Sequence, residues 1–160
     1  MSGMRQHLRA SVLSAAAFVL SSACAGGSAG LAGAGWPWGT DSVTPAAFAA
    51  ELAGAPGAGK PVVVCTAPQF LYRVGHIPGA VFHGPASSPE ALDGLTAWAQ
   101  PLPRSTSIVV YCGCCPLAQC PNVAPAYLAL KKLGFTRVRV LLIDNSFRAD
   151  WMERGYPYEK

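Results

Sequence analysis

Three short apolar runs, separated by segments with helical patterns, most constrain the fold of this chain. The runs are 61–66 (PVVVCT), 107–111 (SIVVY) and 138–143 (VRVLLI). They are largely apolar at consecutive positions rather than at alternate ones, which is typical of strands buried on both faces. We therefore expect an α/β fold with a central parallel sheet and helices on both faces.

Helix signals lie on both sides of these runs. Segment 44–54 opens with Thr-Pro and predicts a helix that ends at its glycine. The spacing of leucines and a tryptophan predicts a second helix over 88–99. Asn122 is expected to cap a third helix, which Gly134 ends. A last helical segment is expected over 147–154.

The N-terminus has the pattern of an export signal. In residues 1–24 a short positive region precedes an apolar run of secretory-signal length, which is too short to span a membrane. Residues 23–25 (ACA) fit cleavage between small residues. Residues 20–24 (LSSAC) instead resemble a bacterial lipoprotein box displaced by one residue, in which Cys24 would be lipidated. Both interpretations predict an exported protein, either periplasmic or a membrane-anchored lipoprotein.

The signal is followed by a segment with little capacity to fold. Residues 25–40 (AGGSAGLAGAGWPWGT) are nearly all Gly, Ala and Ser and carry no charge, so we expect a flexible linker. Trp36 and Trp38 are interpreted as residues of this tether, and the alternative is that they dock on the domain or on a membrane surface. The folded domain is predicted to occupy residues 41–160, which is one domain by length.

Composition excludes several classes of protein. Apolar residue types make up 51% of the chain and charged types 12%, a mixture that can bury a core and that excludes a disordered or a fibrous chain. The net charge is only +4, and two of the positive residues, Arg5 and Arg9, fall in the predicted signal. No basic stripe remains for nucleic acid, so we expect no nucleic-acid partner.

Four of the six cysteines fall within nine positions, directly after the second apolar run. They are Cys112, Cys114, Cys115 and Cys120. Ligands bind parallel sheets at the carboxyl ends of the strands, where Cys65 also falls, so the fold should bring Cys65 and Cys112 together. A thiol must ionise to attack sulfur, and the helix predicted at Asn122 offers unpaired N–H groups that favour a thiolate. Cys112 is the position best placed for this chemistry.

Three motifs, in order along the chain, resemble the rhodanese-like (sulfurtransferase) family. They are 75–80 (GHIPGA), 108–112 (IVVYC), and a C-terminal set of 133–135 (LGF), Trp151 and 155–157 (GYP). The resemblance implies a sulfurtransferase fold in which Cys112 is catalytic and carries sulfur as a persulfide. It also implies a small sulfur donor such as thiosulfate and a thiol or cyanide acceptor, with no cofactor. We expect a monomer.

The sequence departs from this family at several places. Residues 65–67 (CTA) stand where an Asp-x-Arg usually ends the first strand, and the active-site loop is several residues longer than usual. The loop comprises Cys112, Gly113, Cys114, Cys115, Pro116, Leu117, Ala118, Gln119 and Cys120. Phosphatases that share this loop design need an arginine six residues after the cysteine. Ala118 occupies that position, which argues against phosphoryl chemistry.

The first hypothesis for the loop is enzymatic. Cys112 attacks the donor, the amides of 113–115 hold the anion, and Cys65, Cys115 or Cys120 resolves the persulfide. Cys112 and Cys115 form a C-x-x-C pair, so thiol–disulfide exchange is a variant of the same hypothesis. If Cys24 is cleaved away or lipidated, five cysteines remain. Two disulfides would then leave one free thiol as the candidate nucleophile.

Two other hypotheses keep the fold without the reaction. In the binding hypothesis the module is inactive, and a set of thiols binds Zn(II) or Cu(I). The set comprises Cys65, Cys112, Cys115 (or Cys114) and Cys120. In the structural hypothesis disulfides staple the loop of an interaction domain and stabilise it by about 2–4 kcal/mol each. Adjacent Cys114 and Cys115 are poor disulfide partners for each other, so more distant pairs are expected.

Overall fold

The computed structural model describes residues 35–54 and 59–160. The predicted signal peptide with Cys24, and residues 25–34 of the predicted linker, lie outside the described residues. None of the helices in the described ranges is long and apolar enough to cross a membrane.

A five-stranded sheet lies at the centre of the domain. Its strands are β1 (Ser42–Val43), β2 (Val62–Cys65), β3 (Val81–Phe82), β4 (Ser107–Tyr111) and β5 (Arg137–Leu141). The order across the sheet is β1-β5-β4-β2-β3, and every neighbouring pair is parallel. The register aligns Cys65 with Tyr111, so β2 and β4 end side by side. The predicted parallel α/β class is confirmed.

Helices cover both faces of this sheet, as predicted. They are α1 (Pro45–Gly54), α2 (Gln69–Val74), α3 (Pro89–Ala99) and α4 (Val123–Lys132), with a 3₁₀ turn at Leu117–Gln119 and a π-helical turn at Arg148–Met152. On one face α3 packs against α4, and α4 packs against β4 and β5. On the other face α1 meets the π-helical turn through Phe48 and Trp151, whose ring centroids are 6.1 Å apart.

The predicted strands and helices agree with the observed ones where the sequence pattern extends over several residues. The three apolar runs contain or overlap β2, β4 and β5, and α1 and α3 lie inside their predicted segments. Ser88 caps α3, because its side chain accepts a hydrogen bond from the Ala91 N–H at 3.2 Å. The predicted helix over 147–154 is a π-helical turn over a shorter range. The edge strands β1 and β3 were not predicted, since two residues show no periodicity.

The end of the predicted linker packs against the domain. Trp38 is 3% exposed, Trp36 stacks on it with ring centroids 4.7 Å apart, and the Trp38 ring meets Tyr127 of α4 at 6.1 Å. Residues 35–40, which the composition assigned to a flexible linker, are therefore part of the packed structure. The two tryptophans supply the apolar area that the surrounding Gly and Ala lack.

Replacing Trp38 tests this packing. We expect Trp38→Ala to lower the free energy of unfolding by about 3 kcal/mol, the lower end of the range for a buried aromatic side chain. The lower end applies because the Trp38 Nε1 is buried with no hydrogen-bond partner among the described residues. Trp36→Ala, which removes a half-buried ring from the same stack, should cost less. Denaturant unfolding curves measure both, and a Trp38→Ala curve that overlays wild type would show that 35–40 is a tether.

Candidate active site

A cavity of about 140 Å³ lies at the carboxyl ends of β2 and β4. The strand ends contribute Cys65 and Tyr111, and the loop after β4 contributes Cys112 and Cys114. Helix α2 and the π-helical turn close the sides, where Arg148 adds a positive charge to the lining. Cys65 and Cys112, which the strand positions predicted to lie together, both line this cavity.

The loop leaves β4 through a sharp turn at Gly113. This glycine has φ 75°, a left-handed conformation that side chains with a Cβ adopt at a cost. A Cβ at this position would also lie 2.6 Å from the Cβ of Phe147, and the Phe147 N–H donates to the Gly113 carbonyl at 3.0 Å. The turn folds the chain back, so that the Sγ of Cys114 lies 3.1 Å from the Sγ of Cys112.

Three thiols of the loop form a cluster. The Sγ atoms of Cys112, Cys114 and Cys120 all lie within 4.8 Å of one another, and these three residues are called the thiol cluster below. Cys115 lies outside it, although its Sγ is 3.2 Å from that of Cys114. Cys65 is also outside it. Of the predicted metal-ligand set, the thiol cluster contains Cys112, Cys120 and the alternative Cys114, and it lacks Cys65.

Asn122 ties the thiol cluster to the rest of the domain. Its Nδ2 donates to the Sγ of Cys112 at 3.5 Å and to that of Cys114 at 3.7 Å, and its Oδ1 accepts from the Ser87 N–H at 2.9 Å. Asn122 does stand at the start of α4, as predicted, but its side chain makes no capping hydrogen bond. Both ends of the amide are used in these other contacts.

The pKa values of Cys112 and Cys120 are shifted in opposite directions. A hydrogen bond from Cys112 and the N–H groups of Asn122 and Val123 lower the pKa of Cys120 to about 5, against the opposing effect of burial. The interaction with Cys120 and burial together raise the pKa of Cys112. Burial, with the neighbouring thiols, raises the pKa of Cys115 to about 12.

The N–H groups at the start of α4 act on Cys120, and not on Cys112 as the sequence predicts. The first N–H groups of α4 reach Cys120, which stands two residues before the N-terminal Asn122. That spacing was visible in the sequence and could have identified Cys120 as the thiol nearest the helix. The backbone N–H of Cys114 instead acts to lower the pKa of Cys112, against the larger effects that raise it.

The histidine of the 75–80 motif has a structural place. His76 is buried and is not among the residues that line the cavity. Its Nδ1 is 2.9 Å from the Tyr72 carbonyl oxygen, its ring stacks on Tyr72, and its Nε2 is 3.3 Å from the Glu159 Oε1. These contacts give His76 a structural, hydrogen-bonding role. They tie the C-terminal segment to α2, which forms one wall of the cavity.

Substitution at Gly113 tests the turn that gathers the thiols. Gly113→Ala should lower the free energy of unfolding by about 1–3 kcal/mol from backbone strain, and by about 1–3 kcal/mol more because Phe147 must move. Gly134→Ala is the matched control, since Gly134 has φ 90° but its nearest neighbour, the Arg104 Cδ, is 3.9 Å away. If both variants lose the same free energy of unfolding in denaturant, the contact with Phe147 is not a packing constraint.

The geometry defines a class of protein: an α/β domain that presents a cysteine-bearing loop at the carboxyl edge of a parallel sheet. Residues 48–149 match the rhodanese-like domain family, which is more than half of the chain. The protein therefore belongs to the rhodanese-like domain family. No curated protein matches the chain.

Solved structures support the same fold. The rhodanese-like domain of the Alr3790 protein from Anabaena sp. is 22% identical, with 74% of this chain and 78% of that chain covered and a TM-score of 0.55. The BH2092 protein from Bacillus halodurans is 21% identical, with coverage of 74% and 75% and a TM-score of 0.55. Thiosulfate sulfurtransferase from Pseudomonas aeruginosa is 20% identical with a TM-score of 0.51. The match covers 75% of this chain but 19% of that one. Identities this low show the fold alone.

Proposed function

We propose that this protein is a sulfurtransferase that carries sulfur as a persulfide on Cys112. The observation that supports it most is the position of Cys112, which directly follows β4 and lines the cavity at the carboxyl edge of the sheet. Membership of the rhodanese-like family supports the same role, because 108–112 (IVVYC) carries the family's strand and cysteine. Neither Cys115 nor Cys120 lines that cavity.

The donor in this proposal is a small anion such as thiosulfate. The Cys112 thiolate attacks the outer sulfur of thiosulfate, a Cys112 S–S bond forms, and the sulfur–sulfur bond of the donor breaks to release sulfite. The protein gains one sulfur atom, and the electron pair of the broken bond leaves with sulfite. A cavity of about 140 Å³ has room for a donor of this size, while Arg148 in its lining is already paired with Glu153, whose Oε1 lies 2.9 Å from the Arg148 Nε.

Cys120 serves as the proton acceptor for Cys112. The pKa of Cys112 is raised and that of Cys120 is lowered, so Cys120 is the thiol of this pair that more readily carries the negative charge. Attack requires the Cys112 proton to move to Cys120, whose Sγ lies within 4.8 Å. The backbone N–H of Cys114, which donates to the Cys112 sulfur, then stabilises the thiolate and the persulfide formed from it.

The acceptor takes the outer sulfur and restores the Cys112 thiolate. A thiol or cyanide performs this step by attack on the outer sulfur of the persulfide, which gives a new persulfide or thiocyanate. We further propose that the protein works as a monomer outside the cytoplasm, either periplasmic or anchored by a lipid on Cys24. That location rests on the signal pattern of residues 1–24.

Removal of the nucleophile tests the proposed activity. Cys112→Ser should reduce the release of sulfite from thiosulfate, with cyanide as acceptor, by at least about 1,000-fold. Cys65→Ser removes a thiol from the same cavity but not the attacking sulfur, so it should keep activity within roughly tenfold of wild type. Steady-state sulfite and thiocyanate assays measure both. Full activity in Cys112→Ser would show that another residue carries the sulfur.

The thiol cluster favours a second candidate function, the binding of one soft metal ion. Two thiolates bound to one Zn(II) at about 2.3 Å are at most about 4.6 Å apart. The cluster, with its shortest contact at 3.1 Å and all pairs within 4.8 Å, comes close to this limit. Thiolates select Cu(I) and Zn(II). An ion here would occupy Cys112 and so block sulfur transfer.

Metal titration of thiol variants tests this second candidate. The reduced protein should bind one Zn(II) or Cu(I) under anaerobic conditions, and Cys114→Ser should weaken the affinity at least about tenfold. The ligand set inferred from sequence predicts that Cys65→Ser weakens binding as well, whereas the structure predicts no such effect. Competition with a chromophoric chelator gives the affinities. A loss on Cys65→Ser with none on Cys114→Ser would contradict the cluster as the ligand set.

A further inference from the structure

We propose that Cys114 is the resolving thiol of this site. Its sulfur attacks the Cys112 persulfide, releases the outer sulfur as hydrogen sulfide and forms a Cys112–Cys114 disulfide. The inference rests on the proposed function, because it needs a persulfide on Cys112. It adds a second reaction to the site, the conversion of sulfane sulfur to sulfide without an external acceptor.

The contact between the two sulfurs carries the inference. Their Sγ atoms are 3.1 Å apart, and a disulfide bond is about 2.05 Å long, so closure requires an approach of about one ångström. The left-handed turn at Gly113 creates this contact, and the Asn122 amide donates to both sulfurs. Both thiols also line the cavity where the persulfide would form.

The other thiols are placed less well for this reaction. Cys120 lies within 4.8 Å of Cys112 but does not line the cavity, and the amides of Asn122 and Val123 hold its sulfur. Cys115 contacts Cys114 at 3.2 Å but is not within the thiol cluster. Cys65 lines the cavity from the end of β2 and is likewise outside the cluster.

The reaction balances without an added oxidant. The Cys114 thiolate attacks the inner sulfur of the Cys112 persulfide, a Cys112–Cys114 bond forms, and the bond between the inner and outer sulfurs breaks. The outer sulfur leaves with the electron pair as hydrosulfide. Two cysteine thiols are oxidised by two electrons, and the transferred sulfur is reduced by the same two. A dithiol reductant must then reduce the disulfide before another cycle.

A single-turnover experiment tests the inference. The reduced full-length protein receives one equivalent of thiosulfate with no added thiol, and samples are acid-quenched for intact mass while sulfite and sulfide are measured. Wild type should first gain about 32 Da on Cys112 and then become about 2 Da lighter than the reduced protein, with one equivalent of sulfide released. In Cys114→Ser the heavier form should persist, and sulfide release should slow by at least about tenfold.

Two comparisons keep the result specific. Sulfide release is expressed per molecule that carries the additional sulfur of about 32 Da, so a change in how fast Cys114→Ser loads Cys112 does not affect the comparison. Cys115→Ser tests the neighbouring thiol and should still form the Cys112–Cys114 disulfide, mapped by peptide mass spectrometry without reductant.

The possible failures are distinguishable. Sulfide release from Cys114→Ser at the wild-type rate, or a disulfide that joins a different pair, would overturn the role of Cys114 while the persulfide chemistry stands. No sulfite and no mass gain in either protein would instead overturn the proposed sulfur transfer, and the resolving step with it.

Discussion

β2 and β4 pair in parallel over four residue positions, and this pairing fixes where the reactive loop can lie. Both strands are buried apolar runs that end at the same level, with Cys65 beside Tyr111. The ends are tied together by the Thr66 N–H and hydroxyl, which both donate to the Tyr111 carbonyl. The Tyr111 hydroxyl accepts from the Ile77 N–H. Because these hydrogen bonds hold the two strand ends together, they constrain the backbone position of Cys112, the residue that follows β4.

The first residues of the loop beyond that edge, 112–114, precede the 3₁₀ turn at Leu117–Gln119 and are held by contacts with Phe147 and Asn122. Gly113 makes the turn, Phe147 packs against it, and Asn122 reaches back from the start of α4 to two sulfurs. The consequence is a division of roles among the thiols. Cys112 and Cys114 both line the cavity, and Cys120 is the thiol whose pKa is lowered beside the start of α4. The proposed sulfur transfer, resolution and metal binding would compete for the same three sulfurs.

Much of the fold could be predicted from the sequence because its strongest signals are long and local. The runs that form β2, β4 and β5 are apolar because both faces of the sheet are covered. Ser88 caps the start of α3, and α1 ends at Gly54. The burial of Trp38 was not predicted, because composition is averaged over a whole segment and does not reveal one buried ring. At the site, Cys112 could be selected by its place after a strand. The sequence could not show that Cys114 rather than Cys115 joins the thiol cluster, because the direction of a side chain in this irregular loop depends on the turn at Gly113.

The central claim is that one particular sulfur among five described cysteines, that of Cys112, accepts sulfur from the donor. Peptide mapping of wild-type protein, acid-quenched within the first turnover on thiosulfate with and without a prior addition of cyanide, measures this directly. The account predicts that the additional sulfur, about 32 Da, is found on Cys112 and that cyanide removes it. Sulfur found first on Cys120, the thiol with the lowered pKa, would contradict the account and place the attacking group at the start of α4.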